Sequence, residues 1–115
     1  MRKPKRKTIK NKLDKIFSEV IRKKRYCQKC GSDHYIQCAH VFTRKNLSIR
    51  WSLDNAYCLC AGCHFWAHDN PLLFAEWVKE MKTLEQYDAL KLAANTPRKW
   101  SIDELQELYA QLKEL

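Results

Sequence analysis

Cys27-Gln-Lys-Cys30 and Cys60-Ala-Gly-Cys63 form two Cys-x-x-Cys hooks, and His64 directly follows the second. Two hooks some tens of residues apart can bring four thiolates to one tetrahedral zinc. A site closed by four sulfurs leaves no position for water, so such a zinc holds a fold and does no chemistry. Cys58 competes with Cys60 for the third ligand position, and the two-residue gap of a zinc knuckle favours Cys60. Cys38 and Cys58 are then expected to pack as small buried residues. Threaded through the same segment are His40, Asn55 and His64. A neutral imidazole can take a proton from an attacking water, and a hydrated divalent metal can stabilise charge on a phosphate and its leaving oxygen. The combination points to metal-dependent hydrolysis of phosphodiesters.

A lone histidine is more often structural than catalytic, so the pattern matters more than any single residue. His40 follows the first hook by ten residues and is expected on a strand that hairpins over the second knuckle. His64 should open the helix after that knuckle. The reading makes His40 the general base and His64 a ligand of a second, catalytic metal. His68 lies at i+4 from His64, hence on the same helix face, and could share that metal. Asn55 either ligates metal or holds the loop bearing His40 through backbone bonds, and the holding role is preferred. Arg44, Lys45 and Arg50 sit beside the His40 hairpin, where they would position a phosphate backbone without reading sequence. Trp51 and Trp66 could stack on bases, but core packing is the simpler reading. His34, beside the first knuckle, is expected in an exposed loop.

The elements that must carry these groups are legible in part. Residues 1–11 are dense in Lys and Arg, interrupted by Pro4, and read as a basic disordered arm. Leu13, Ile16, Phe17, Val20 and Ile21 recur at helical spacing and predict a helix over about 12–25, with Lys15, Arg22, Lys23 and Lys24 opposite. Gly31 permits the positive backbone torsion that a zinc turn often needs. Tyr35–Phe42 alternates like a strand, and Ile49–Ser52 reads as a second short extended piece. A helix should begin within Ala61–His64. Asn70-Pro71 reads as an N-cap followed by proline at the first helical position. Thr83-Leu-Glu-Gln86 and Ser101-Ile-Asp-Glu104 are capping boxes that open two further helices, the first running to about Asn95. The helices after residue 71 look like support structure.

At 115 residues the chain makes one domain with a modest core, so a structural metal would contribute materially to stability. Three disulfides in a secreted protein are the other use of six cysteines, but the hook spacing speaks against it. The chain opens Met1-Arg-Lys-Pro-Lys-Arg-Lys, not with an apolar signal segment, and no apolar run has transmembrane length. A reducing, cytoplasmic setting is expected, with no membrane contact. Charge is lopsided: residues 1–50 hold 16 Lys and Arg against 3 Asp and Glu, residues 51–115 hold 6 against 10, and the net is +9. Basic charge gathered around the hooks suits a polyanion such as DNA.

With these residues in hand, the chain resembles the HNH nucleases, also called ββα-metal or His-Me finger nucleases, and within them the phage NinG (Rap) recombination proteins. The stretches that carry the likeness are Leu13–Arg22, Cys27-x-x-Cys30, Cys38-Ala-His-Val-Phe42, Ile49-Arg-Trp51, Asp54-Asn55 and Cys60-x-x-Cys63, together spanning about residues 13–80. The resemblance implies a small zinc-bound, treble-clef-like ββα-metal finger over about 26–70; with the N-terminal helix and the helical support read over 71–115, of which 83–115 has no counterpart in the likeness, the expectation is an α+β fold, all one domain from residue 12. It implies DNA cleavage dependent on Mg2+ or Mn2+, often on branched or recombining DNA, with phage recombination or packaging proteins as partners in a host cytoplasm. It implies His40 as base and His64 at the metal-binding position. Two departures stand out. Many members carry Asp or His immediately before the base as a metal ligand, where this chain has Ala39. NinG-like chains often have Asn at the position of His64, and a histidine there favours softer metals such as Mn2+, Ni2+ or Zn2+ over Mg2+. The alternative reading is a noncatalytic zinc module that binds DNA or a protein partner.

Overall fold

Ile9, Leu13, Phe17 and Ile21 recur every fourth residue, and all four are buried along one stripe of helix α1, Arg6–Arg22. The computed structural model describes residues 5–115. It corrects the expected disordered arm over 1–11 and the expected helix over about 12–25: the helix starts at Arg6 and ends at Arg22. Ile9 extends the apolar stripe by one turn and enters the core, which offsets the entropy of ordering a basic segment. Residues 1–4 of that arm lie outside the described residues. Past the helix the chain turns through Lys23 and Lys24 to Arg25, which has a positive φ of 64°.

The rest is α+β. Strands β1, Ile36–His40, and β2, Ala56–Cys60, are followed by α2, Ala61–Asp69, α3, Pro71–Met81, α4, Leu84–Ala94, and α5, Ile102–Lys113. The strands pair antiparallel, with Ile36 opposite Cys60 and His40 opposite Ala56. β2 is covered on both faces. Ala56 and Cys58 join a core of α1 and α5 residues, while Tyr57 and Leu59 join a second core with Ala67, Phe74 and Val78. Alternation along the strand sends successive side chains to opposite faces, so one hairpin divides two apolar layers. That explains why β2 reads as a near-continuous apolar run.

Ile49–Ser52, expected as an extended piece, is instead coiled into turns. Ile49 N–H donates to Asn46 O at 3.1 Å, Ser52 N–H to Ile49 O at 3.0 Å, and Asn55 N–H to Ser52 O at 2.9 Å. Ile49 and Trp51 are both buried, which straight two-residue alternation on a half-covered strand would also produce, so the pattern was ambiguous. Both capping boxes form: the Thr83 and Ser101 hydroxyls accept from the Gln86 and Glu104 N–H groups, and those two side chains bond back. Pro71 opens α3 as expected, but the Asn70 side chain does not cap it; Asn70 Nδ2 instead donates to Trp66 O at 3.1 Å, closing the end of α2. No described helix is long and apolar enough to cross a membrane.

Candidate functional site

The four sulfurs of Cys27, Cys30, Cys60 and Cys63 all lie within 4.8 Å of one another. Cys30 Sγ and Cys60 Sγ are 3.6 Å apart, close to the separation of about 3.8 Å that Zn–S bonds near 2.3 Å give at a tetrahedral centre. Each hook has the same local device. Cys30 N–H points at Cys27 Sγ and Cys63 N–H at Cys60 Sγ, both at 3.4 Å. Gly31, at φ 82°, lets the first hook turn back. Cys60 does double duty as the N-cap of α2, so the second hook grows directly from β2 into the helix. Burial raises the Cys27 thiol, but backbone N–H groups from Cys30, Cys60 and Lys29 outweigh it and pull the value down to about 6. Cys63 is pushed up, first by burial and then by the three neighbouring sulfurs. A divalent cation relieves that mutual repulsion, and the donor set is the one zinc prefers.

Cys58 takes no part in this cluster. It is fully buried on the α1 side of β2, opposite Cys38 on β1. Burial raises both thiols, Cys38 to about 12, so both stay protonated and inert at neutral pH.

One open groove of about 890 Å³ gathers most of the remaining candidates: His40, Arg44, Lys45, Arg50, His64 and His68. It runs along β1 from α1 to the helices on the far side, with Asp14 and Ser18 on one wall and Ala67 and Phe74 on the other. His40 stacks against Phe17, ring centroids 5.4 Å apart, and its Nε2 lies 3.1 Å from the Arg50 carbonyl oxygen. A carbonyl only accepts, so Nε2 carries the hydrogen and Nδ1 of the neutral ring keeps a free lone pair. Nδ1 has no hydrogen-bond partner among the described residues. Burial lowers the His40 pKa below its ordinary value; the Arg50 carbonyl opposes this, and the Arg44 charge adds to it.

His64 and His68 converge. Their Nε2 atoms are 3.2 Å apart, and His64 Nδ1 is 2.7 Å from the Gln37 amide oxygen. Donation to Gln37 leaves His64 Nε2 bare, and two imidazole nitrogens about 3.3 Å apart fit one tetrahedral ion with bonds near 2.05 Å. Burial and the charges of His68 and His40 lower the His64 pKa.

Asn55 does not reach the groove: it is 0% exposed. Its Oδ1 accepts from Phe42 N–H at 2.8 Å, and its Nδ2 donates to Phe42 O at 3.0 Å and Ile49 O at 3.2 Å. The amide thus staples the chain after His40 to the turns that carry Arg50. Both arginines pair with Asp14: Arg50, 17% exposed, at 2.6 Å, and Arg44 more loosely at 3.5 Å, its side chain 60% exposed and able to swing toward an anion. Trp51 is buried in the α1–α5 core. Trp66 packs against the other core, with the Lys29 ammonium over its ring at 4.3 Å. His34 is exposed beside Asp33.

Three residues that line the groove or touch its histidines were not picked out as site residues in the sequence. Asp14 Oδ1 and Oδ2 take Arg50 Nε at 3.0 Å and Nη2 at 2.6 Å, and Trp51 Nε1 donates to Oδ1 at 2.9 Å. Burial opposes ionisation of Asp14, but these donors outweigh it and lower its pKa. The clue to Asp14 was its being the first acid in a strongly basic stretch. Gln37 and Phe17 offered no comparable signal, because only strand pairing and helix docking bring them to His64 and His40. No protein-family model matches this chain, nor does any curated protein or solved structure.

Proposed function

We propose that this protein is a metal-dependent DNA endonuclease of the HNH kind, with a ββα-metal finger formed by β1, β2 and α2 around a structural zinc. One observation carries the reading: His40, with Nε2 tied to a carbonyl, shares a groove with the convergent His64–His68 pair and with the exposed cationic side chains of Arg44 and Lys45. His40 Nδ1 takes the proton from a water attacking the scissile phosphate. The Arg50 carbonyl keeps the imidazole in the required tautomer. Arg44 and Lys45 hold the flanking phosphates. His64 and His68 would hold a divalent ion, which supplies charge stabilisation at the phosphate. Their nitrogen donors suit Mn2+, Ni2+ or Zn2+ better than Mg2+, since the groove's carboxylate Asp14 is already engaged by Arg50. Recombining or branched DNA in a phage-infected cytoplasm is the substrate setting this reading favours.

The test is nicking of supercoiled plasmid across Mg2+, Mn2+, Ni2+ and Zn2+. Cleavage strongest with Mn2+ or Ni2+, and lost in His40→Ala, is the expected result. An intact plasmid under every metal, from zinc-loaded protein, would overturn it. Ala39 at a position where a ligand is common favours the second reading, a noncatalytic zinc module that binds DNA, and that result would select it.

A further inference from the structure

On the other side of the His40 loop lies a second depression, about 380 Å³, lined by Arg6, Lys10, Leu47, Trp51, Arg98 and Lys99, among others. Its floor is apolar, with Trp51 and Leu105 buried and Trp100 edge-on to Trp51 at 6.0 Å. Its rim is cationic. Arg6 donates to the Trp100 carbonyl oxygen, a neutral partner, and has no acidic partner among the described residues. Arg98 stacks over Trp100 at 3.6 Å and pairs with Glu104 at 3.1 Å, so part of its charge is already used. Lys10 and Lys99 have no acidic partner among the described residues.

We infer that this pocket is a second nucleic-acid site, which grips backbone phosphates of the same DNA strand that passes the histidine groove. The inference rests on the nuclease reading for its substrate. Continuity between the two sites supports it. Helix α1 contributes to both, with Arg6 and Lys10 at one and Asp14 and Ser18 at the other. Residues 43–51 form the shared wall, giving Arg44 and Lys45 to the groove and Leu47 and Trp51 to the pocket. From Lys10 to Ser18 the helix rises about 12 Å, which matches the axial rise of three to four nucleotides of one strand at about 3.4 Å each. Phosphates meet the cationic rim, and the flat apolar floor accepts the sugar edge or an unpaired base. A small anion would leave the floor unused, and a protein partner would find too little apolar area.

The experiment compares wild type, Lys10→Glu/Lys99→Glu, and the control Lys91→Glu/Lys113→Glu, which changes net charge equally from exposed sites on α4 and the far end of α5. The probe is a fluorescent duplex of about twenty base pairs, read by anisotropy over a salt series, beside plasmid nicking. Unchanged melting temperatures establish that all three fold. The pocket variant should lose about tenfold or more in affinity at low salt, and its slope of log K against log salt should fall by about two. The control should lose several-fold less. Equal losses in both variants, or none in the pocket variant, would overturn the second site. If wild type binds DNA through this pocket but no metal supports nicking, the nuclease reading falls and the pocket stands. A wild type that binds no DNA overturns both.

Discussion

Arg50 faces two ways: its guanidinium is gripped by Asp14 while its carbonyl orients His40. The consequence belongs to single residues. His40→Ala should cut nicking by about a hundredfold to ten-thousandfold, with zinc content, fold and DNA binding retained. Asp14→Asn loses the charged bidentate clamp and lets the Arg50 carbonyl drift, so nicking should drop by about tenfold to a hundredfold while zinc stoichiometry holds. Equal rates in wild type and Asp14→Asn would show that the clamp serves stability alone. His40 also sets a pH limb. Its folded pKa is lowered, so the neutral imidazole persists below the ordinary value near 6.5. Nicking should therefore climb with pH along a limb centred below about 6.5 and be flat by pH 7.5. The stability that neutral His40 contributes is present above about 6.5 and lost as pH falls through the lowered value. A limb centred above 7 would contradict the buried, carbonyl-bound ring.

Elements matter because the hairpin and α2 are short and hold each other through the hooks. β1 and β2 have five residues each and α2 has nine, too few for independent stability. We expect one zinc per chain by elemental analysis, and loss of α2 helicity and cooperative melting on chelation or in Cys30→Ser/Cys63→Ser. Full helicity after metal removal would refute that. Asn55 is the other pin. Asn55→Ala leaves Phe42 N–H without its buried acceptor and should cost roughly 1–3 kcal/mol by urea denaturation. Because it also frees the chain next to His40, nicking should fall with stability.

Over the whole molecule, charge and packing are layered on the same helix. α1 buries Ile9, Leu13, Phe17 and Ile21 and turns its basic residues outward, so the segment expected to trail in solution is partly core. Deleting residues 1–11 should therefore lower the melting temperature by several degrees, since Ile9 leaves a cavity and its transfer energy is about 2 kcal/mol or more. If removal of residues 1–11 left the melting temperature unchanged, the first turns of α1 would be dispensable to the core.

The sequence by itself determined what depends on local chemistry. Hook spacing singled out Cys27, Cys30, Cys60 and Cys63, and the capping boxes located the starts of α4 and α5, because a ligand pair or a cap involves residues three apart. Gly31 carried its positive torsion for the same reason. Only tertiary structure decided the rest. The start of α1 depended on whether Ile9 finds a core, and Ile49–Ser52 became turns because Asn55 ties Ile49 and Phe42 together from inside. Asp14, Gln37 and Phe17 meet the groove residues Arg50, His64 and His40 across 36, 27 and 23 positions of chain respectively. Periodicity carries no information about such pairings, since it reports which face a residue occupies and not what is docked against it.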